Sequence, residues 1–128
     1  MVSVISKIYN LLKFNFNNQT VIVTGASRGI GKNVAQSFAS SGANVALLSR
    51  TLNDLIELEN EITSNGGSAI SISTDVSDID SFQSAVHQII KKFGNVNILV
   101  NNAGITRDNL ILRLKPEDWD IVMNINLK

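Results

Sequence analysis

Thr24-Gly25-Ala26-Ser27-Arg28-Gly29-Ile30-Gly31 joins the apolar run Val21-Ile22-Val23 to a helical pattern over residues 30–41. A glycine-rich turn between a strand and a helix presents backbone N–H groups, and the positive end of the helix dipole, to an anion such as pyrophosphate. The spacing is G-x-x-x-G-x-G, which differs from the G-x-G-x-x-G fingerprint. Gly31-Lys32 resembles the Gly-Lys pair of a P-loop, but Ala26 stands in place of its first glycine and Asn33 in place of its Mg²⁺-binding Ser or Thr. Two mismatches argue against a nucleoside triphosphatase. The plain alternative is a glycine turn that serves packing alone.

Outward from this loop, short β-branched runs alternate with helical patterns, and glycine closes each helix. In the first helix Ile30, Val34 and Phe38 share a face, and Gly42 permits a left-handed end. Residues 45–48 predict a second strand. Thr51, with Asp54 three residues on, predicts a capping-box-like start to a helix carrying Leu55, Leu58 and Ile62, which Gly66-Gly67 ends. A third strand is expected over residues 68–74. Asp78 is the expected N-cap of a helix with Ile79, Phe82, Val86, Ile89, Ile90 and Phe93 at 3.6 spacing; Gly94 stops it, and residues 96–100 predict a fourth strand. Strands one, two and four are largely apolar, as a parallel sheet covered on both faces requires, whereas residues 68–73 alternate and read as an edge. The expected fold is therefore α/β, half of a Rossmann-like doubly wound parallel sheet with strand order 3-2-1-4. In such a sheet ligands sit beyond the strand C-termini, at the switch between strands one and four.

The 128 residues are 44% hydrophobic and 17% charged, with eleven basic and eleven acidic side chains. That composition fits one compact domain and lacks the cationic footprint that nucleic acid or an anionic membrane surface demands. With no cysteine and one histidine, a disulfide framework, a thiolate nucleophile and a Cys or multi-His metal centre drop out, and no metal is expected. His87 shares a helical face with Gln83 and Lys91 and is expected in solvent rather than in catalysis. The apolar runs fall far short of the roughly 20 residues that span a bilayer. The chain reads as soluble and intracellular, with the cytoplasm ahead of the mitochondrial matrix. The mitochondrial alternative comes from residues 1–18, where Ile5, Ile8, Leu12 and Phe16 keep helical spacing beside Lys7 and Lys13 with no acid. That segment is read either as an N-terminal extension or as a transit peptide. Residues 19–128 are then read as a partial dinucleotide-binding domain. Asn18-Gln19-Thr20 matches a glycosylation sequon, read as chance in a chain that is not secreted.

Two further motifs fall just beyond strand ends: Asp75-Val76 after the third strand and Asn101-Asn102-Ala103-Gly104 after the fourth. A carboxylate such as Asp75 at a strand end can accept a hydrogen bond from an exocyclic amine, and Ala103-Gly104 lets a planar ring approach the backbone. Asp75 has a second reading, since with Asp78 and Asp80 it would favour the positive start of the next helix. Together with the glycine loop these motifs resemble the short-chain dehydrogenase/reductase family from about Thr20 onward. The segment Gly104-Ile105-Thr106-Arg107-Asp108-Asn109-Leu110 is similar to the 3-oxoacyl-[acyl-carrier-protein] reductases of that family. The resemblance implies that Gly25, Ser27, Arg28 and Ile30, in a loop completed by Gly29 and Gly31, surround the phosphates and ribose of a dinucleotide. It also implies that Asp75 and Val76 meet the adenine, that Asn102, Ala103 and Gly104 pack beside the cofactor, and that Asn101 mainly stabilises the sheet. Ser49 stands where NAD-dependent relatives place a ribose-binding carboxylate, with Arg50 and Arg28 free to flank a 2′-phosphate, so NADP(H) is the expected cofactor.

A last helix is expected from about Pro116, with Glu117, Asp118 and Asp120 near its positive end and Trp119, Val122, Met123 and Leu127 on its buried face. Asn126 corresponds to the asparagine of the family's catalytic Asn-Ser-Tyr-Lys tetrad. The other three members are expected downstream, as are the later strands, which would leave the fourth strand as an open edge. The single tyrosine, Tyr9, precedes the first strand, and its spacing to Lys13 is read as chance. The resemblance thus implies an NADPH-dependent reductase of small-molecule or carrier-bound 3-oxoacyl thioesters of the fatty-acid biosynthesis type, active as a homo- or hetero-oligomer. The chain itself is expected to supply the cofactor-binding half and no turnover. The competing reading is a non-catalytic dinucleotide-binding subunit of a hetero-oligomer, or an inactive product. Arg107, Arg113 and Lys115 are either contacts for an acidic acyl carrier protein or ordinary solvated charge.

Overall fold

β-Branched side chains at five successive positions disfavour a helix and suit a strand buried on both faces, and β1 (Thr20–Thr24) is buried along its whole length. The computed structural model describes residues 15–102 and, as backbone, 123–126. After β1 come α1 (Gly29–Ser40), β2 (Asn44–Ser49), α2 (Leu52–Ser64), β3 (Ser68–Ser73), α3 (Ile79–Phe93), β4 (Ile98–Asn101) and β5 (Met123–Asn126). The strands form one sheet in the order β3-β2-β1-β4-β5, every neighbouring pair parallel. The expected order 3-2-1-4 is present, and β3 lies at an edge with the alternating burial its sequence predicts.

The far side of the sheet departs from the sequence reading. Met123 fits helical spacing, yet residues 123–126 pair with β4, with Met123 opposite Ile98 and Asn126 opposite Asn101. β4 is therefore an interior strand, and a fifth strand is present rather than missing. Met123-Asn124-Ile125-Asn126 alternates apolar and polar residues, so the local pattern suits a period of two as well as 3.6. The unpaired N–H and C=O row of β4 then selects the strand. The expected helix start near Pro116, with Trp119, Val122 and Leu127, lies outside the described residues.

Alternation along the strands sends side chains to two cores. Val21, Val23, Val45 and Leu47 pack with Val34 and Phe38 of α1 and with Leu55 and Leu58 of α2. Ile22, Ala46, Leu48, Ile72 and Leu99 meet Phe82, Val86 and Ile89 of α3 on the other face. Burying each such large side chain contributes about 1.5–3 kcal/mol. Helices on both faces complete the doubly wound arrangement. Phe16 belongs to the first core: it is buried, and its ring meets Phe38 edge-on at 5.2 Å. The boundary drawn at residue 18 thus does not separate Phe16 from the domain. Thr20 of the sequon is fully buried and donates its hydroxyl to Asn95 Oδ1 at 2.7 Å.

The helix ends show which local signals hold. Gly42 N–H donates to the Ala39 carbonyl and Ala43 N–H to that of Phe38, closing α1 with Gly42 at φ 95°. Gly94, at φ 88°, stops α3. Asp78 caps α3 by accepting the Asp80 N–H at 3.0 Å. Thr51 precedes α2 but makes no side-chain cap; its own N–H donates to Ser49 Oγ at 3.0 Å. Asp54 is one methylene shorter than the Glu of a capping box, which limits its reach back to the Thr51 N–H. His87 is exposed on α3 as expected. Among the described residues no helix is long and apolar enough to cross a membrane.

Candidate functional site

The C-terminal ends of β1, β2 and β3 and the start of α1 enclose a cleft of about 470 Å³. The glycine loop forms its floor. Gly25 and Gly29 adopt φ of 60° and 63°, a left-handed conformation that other L-residues enter at a cost. Gly31 is needed for a different reason: a Cβ there would collide with the Gly25 carbonyl oxygen and sit 2.7 Å from Asn102 Nδ2. The absence of that Cβ lets α1 begin directly against the loop. Arg28 occupies the N-cap position, but no side chain caps the helix, and no acid stands in its first turn. The positive end of α1 is therefore left for an outside anion.

Hydrogen bonds brace this loop from two strands. Ala26 N–H donates to the Leu48 carbonyl at 3.2 Å. Thr24 Oγ1 accepts the Asn102 N–H at 2.9 Å and donates to Asn101 Oδ1 at 3.1 Å, while Asn102 Nδ2 reaches the Gly25 carbonyl at 3.4 Å. Asn101 is buried, in keeping with a sheet-stabilising role. On the β2 side, Ser49 Oγ accepts the Thr51 N–H, its carbonyl accepts the Thr74 N–H at 2.8 Å, and Ser73 Oγ donates to the Arg50 carbonyl at 3.3 Å. Arg28 and Arg50 are both exposed and both line the cleft.

Asp75 follows β3. Its Oδ1 accepts the Ser77 N–H at 3.0 Å and the Ser77 hydroxyl. The hydroxyl bond first, then the backbone bond and the nearby Arg50 charge, hold its carboxyl below the ordinary value of 3.8, with desolvation opposing them. The Asp75 carbonyl accepts the Asp78 N–H at 3.0 Å. The residue therefore shapes the turn into α3 while also lining the cleft, and its two readings from sequence are compatible. Val76 is half-buried against the α3 core.

Of the residues singled out from sequence, Gly25, Ser27, Arg28, Arg50, Asp75, Val76 and Asn102 come together on the cleft wall. Ile30 packs onto the first core and Gly31 is buried behind the loop, so these two shape the site without lining it. Gly29 faces open space. Asn126 ends β5 opposite Asn101, in a strand rather than the expected helix. Ala103 and Gly104 lie outside the described residues, as do Tyr9, Lys13, Arg107, Arg113 and Lys115. The cleft also takes in Leu48, Thr51, Thr74 and Ser77, which the motif reading passed over. Their signal is positional, since each sits at or just past a strand C-terminus. A smaller cleft of about 230 Å³ lies between the C-terminal ends of α1 and α2, bridged by Gln36 Nε2 donating to Glu61 Oε2 at 3.0 Å, away from the strand ends.

The model of the short chain dehydrogenase family matches residues 19–128. A 3-oxoacyl-[acyl-carrier-protein] reductase, FabG, of Staphylococcus aureus is 40% identical over 111 residues, 86% of this chain and 45% of that protein. The chain thus spans under half the length of the curated relatives it matches. Among solved structures, a metagenomic short-chain oxidoreductase in complex with NADP is similar, with a TM-score of 0.66 and 39% identity, over 70% of this chain and 40% of that one. A putative D-mannonate oxidoreductase from Haemophilus influenza with bound NAD is similar as well, with a TM-score of 0.70 and 30% identity, over 76% of this chain and 35% of that one. This chain belongs to the short-chain dehydrogenase family.

Proposed function

We propose that the cleft is an NADP(H) site and that these residues form the cofactor-binding portion of a reductase of 3-oxoacyl thioesters, free or carrier-bound. The observation that carries the cofactor reading is the end of β2: Ser49 and Arg50 line the cleft with Arg28, and among the described lining residues the one carboxylate, Asp75, follows β3 and not β2. Ser49 Oγ already accepts the Thr51 N–H, so its own proton remains for a phosphate oxygen. The uncapped start of α1 takes the pyrophosphate, and Asp75 takes the base. When bound, the dinucleotide supplies hydride to a carbonyl. The residues present bind and orient it. Proton delivery to the carbonyl oxygen requires a placed donor with a tuned pKa, and the sole tyrosine, Tyr9, precedes β1. A polypeptide of residues 1–128 is accordingly proposed to bind cofactor without turning over substrate. The similarity to FabG proteins supports the thioester substrate.

Titration of the chain with NADPH and NADH, followed by ligand fluorescence, tests the cofactor reading. Saturable binding with NADPH clearly preferred is expected; equal or tighter NADH binding contradicts it. NADPH oxidation with a β-ketoacyl thioester by residues 1–128, at the rate of a complete reductase, would contradict the division of labour.

A further inference from the structure

The Asp75 carboxylate is held from one side. Ser77 donates both its backbone N–H and its hydroxyl to Oδ1, and among the described residues no protein group donates to Oδ2. The backbone beneath is fixed as well, because the Asp75 N–H donates to Ser81 Oγ at 3.2 Å and its carbonyl accepts the Asp78 N–H. An ionised carboxylate has acceptor sites on both oxygens, so filling one with two donors orients the other. Asp75 and Ser77 line the same cleft, and Asp75 is exposed to it.

We infer that Ser77 is a positioning residue for base recognition, orienting Asp75 so that Oδ2 accepts a hydrogen bond from the exocyclic amino group of a purine in the cleft. This deepens the proposed dinucleotide site and rests on it. Alanine at position 77 keeps the backbone donor and removes the hydroxyl, so the carboxylate gains rotamers that an incoming amine must freeze out. Ordering one such side chain corresponds to about three- to ten-fold in affinity. A base without the amino group has nothing to lose by the change, which separates positioning from a general structural role.

The experiment titrates the full chain and its S77A, S77T and D75A variants with NADPH and with its hypoxanthine analogue, in which a keto oxygen replaces the amino group. Cooperative thermal unfolding of each variant checks the fold. Wild type and S77T are expected to prefer NADPH. S77A weakens NADPH by about three- to ten-fold without weakening the analogue, and D75A abolishes the preference. S77C repeats the test with a side chain of similar size and a poorer donor. An unchanged preference in S77A and S77C, equal weakening of both ligands, or a preference that survives D75A overturns the inference and leaves the dinucleotide site standing. A wild-type chain that binds neither ligand overturns that site, and this inference with it.

Discussion

Thr24 and Asn102 stand 78 positions apart, yet the Asn102 N–H donates to Thr24 Oγ1 at 2.9 Å while the same hydroxyl donates to buried Asn101 at 3.1 Å. One buried hydroxyl thus joins the end of β4 to the start of the glycine loop. Thr24→Val keeps the shape but takes the acceptor from the Asn102 N–H and one donor from Asn101 Oδ1, which costs about 1–3 kcal/mol. Thr24→Ser keeps both bonds and is expected to lose less. Chemical denaturation of the two variants checks the order; equal losses would assign the effect to packing.

Gly29 and Gly31 separate two roles of glycine in one loop. Alanine at Gly29 meets no atom within 4 Å and suffers only from φ 63°, whereas alanine at Gly31 collides with the Gly25 carbonyl oxygen. Overpacking of this kind typically costs about 1–3 kcal/mol, and here it also displaces the start of α1. Gly31→Ala is therefore expected to abolish dinucleotide binding. Gly29→Ala weakens binding less, and calorimetric titration of both variants reads the difference.

The depressed Asp75 pKa has a definite sign. Because the folded value lies below the ordinary 3.8, the ionised carboxyl favours the fold above 3.8, and that contribution fades as pH falls through the folded value. Ser77→Ala removes the first cause of the depression. The Asp75 carboxyl resonance, followed by carbon NMR, should then titrate closer to 3.8. An unchanged midpoint would show that Ser77 does not hold this group.

Phe16 carries a stability prediction. Its ring meets Phe38 edge-on in a buried position, and truncating a buried phenylalanine to alanine costs about 3–5 kcal/mol. Thermal unfolding of Phe16→Ala should show a marked loss, and wild-type stability would place Phe16 outside the core.

Most of the sheet is legible in the sequence because its signals are local and redundant. Val21 to Val23, the face of Ile30, Val34 and Phe38, and the stop at Gly42 each predict the same βαβ unit. β5 is not legible, because Met123 to Asn126 fits both periods and its partner lies on β4, distant in sequence. Within the site, Gly25, Arg28 and Asp75 belong to motifs with fixed spacing. Thr74 and Ser77 flank the Asp75-Val76 motif without belonging to it, and only the fold brings them to the same cleft.

In the proposed dinucleotide site, cofactor preference is expected to turn on Ser49. Charge-assisted hydrogen bonds to a 2′-phosphate contribute roughly 1.5–3 kcal/mol each, so one or two give about ten- to several-hundred-fold preference for NADPH over NADH. Ser49→Asp places a carboxylate against that phosphate and should reverse the order. Dissociation constants for both cofactors on both proteins decide it, and an unreversed order would remove Ser49 from the phosphate.

The central claim, that the strand-end cleft is the dinucleotide site, is tested most directly by amide NMR of the chain during titration with NADPH. Saturable shifts are expected at Gly25, Ser27, Arg28, Arg50, Asp75, Val76 and Asn102, with Gln36, Glu61 and Asn65 around the smaller cleft unmoved. Shifts confined to the smaller cleft, or none at any concentration, would contradict it.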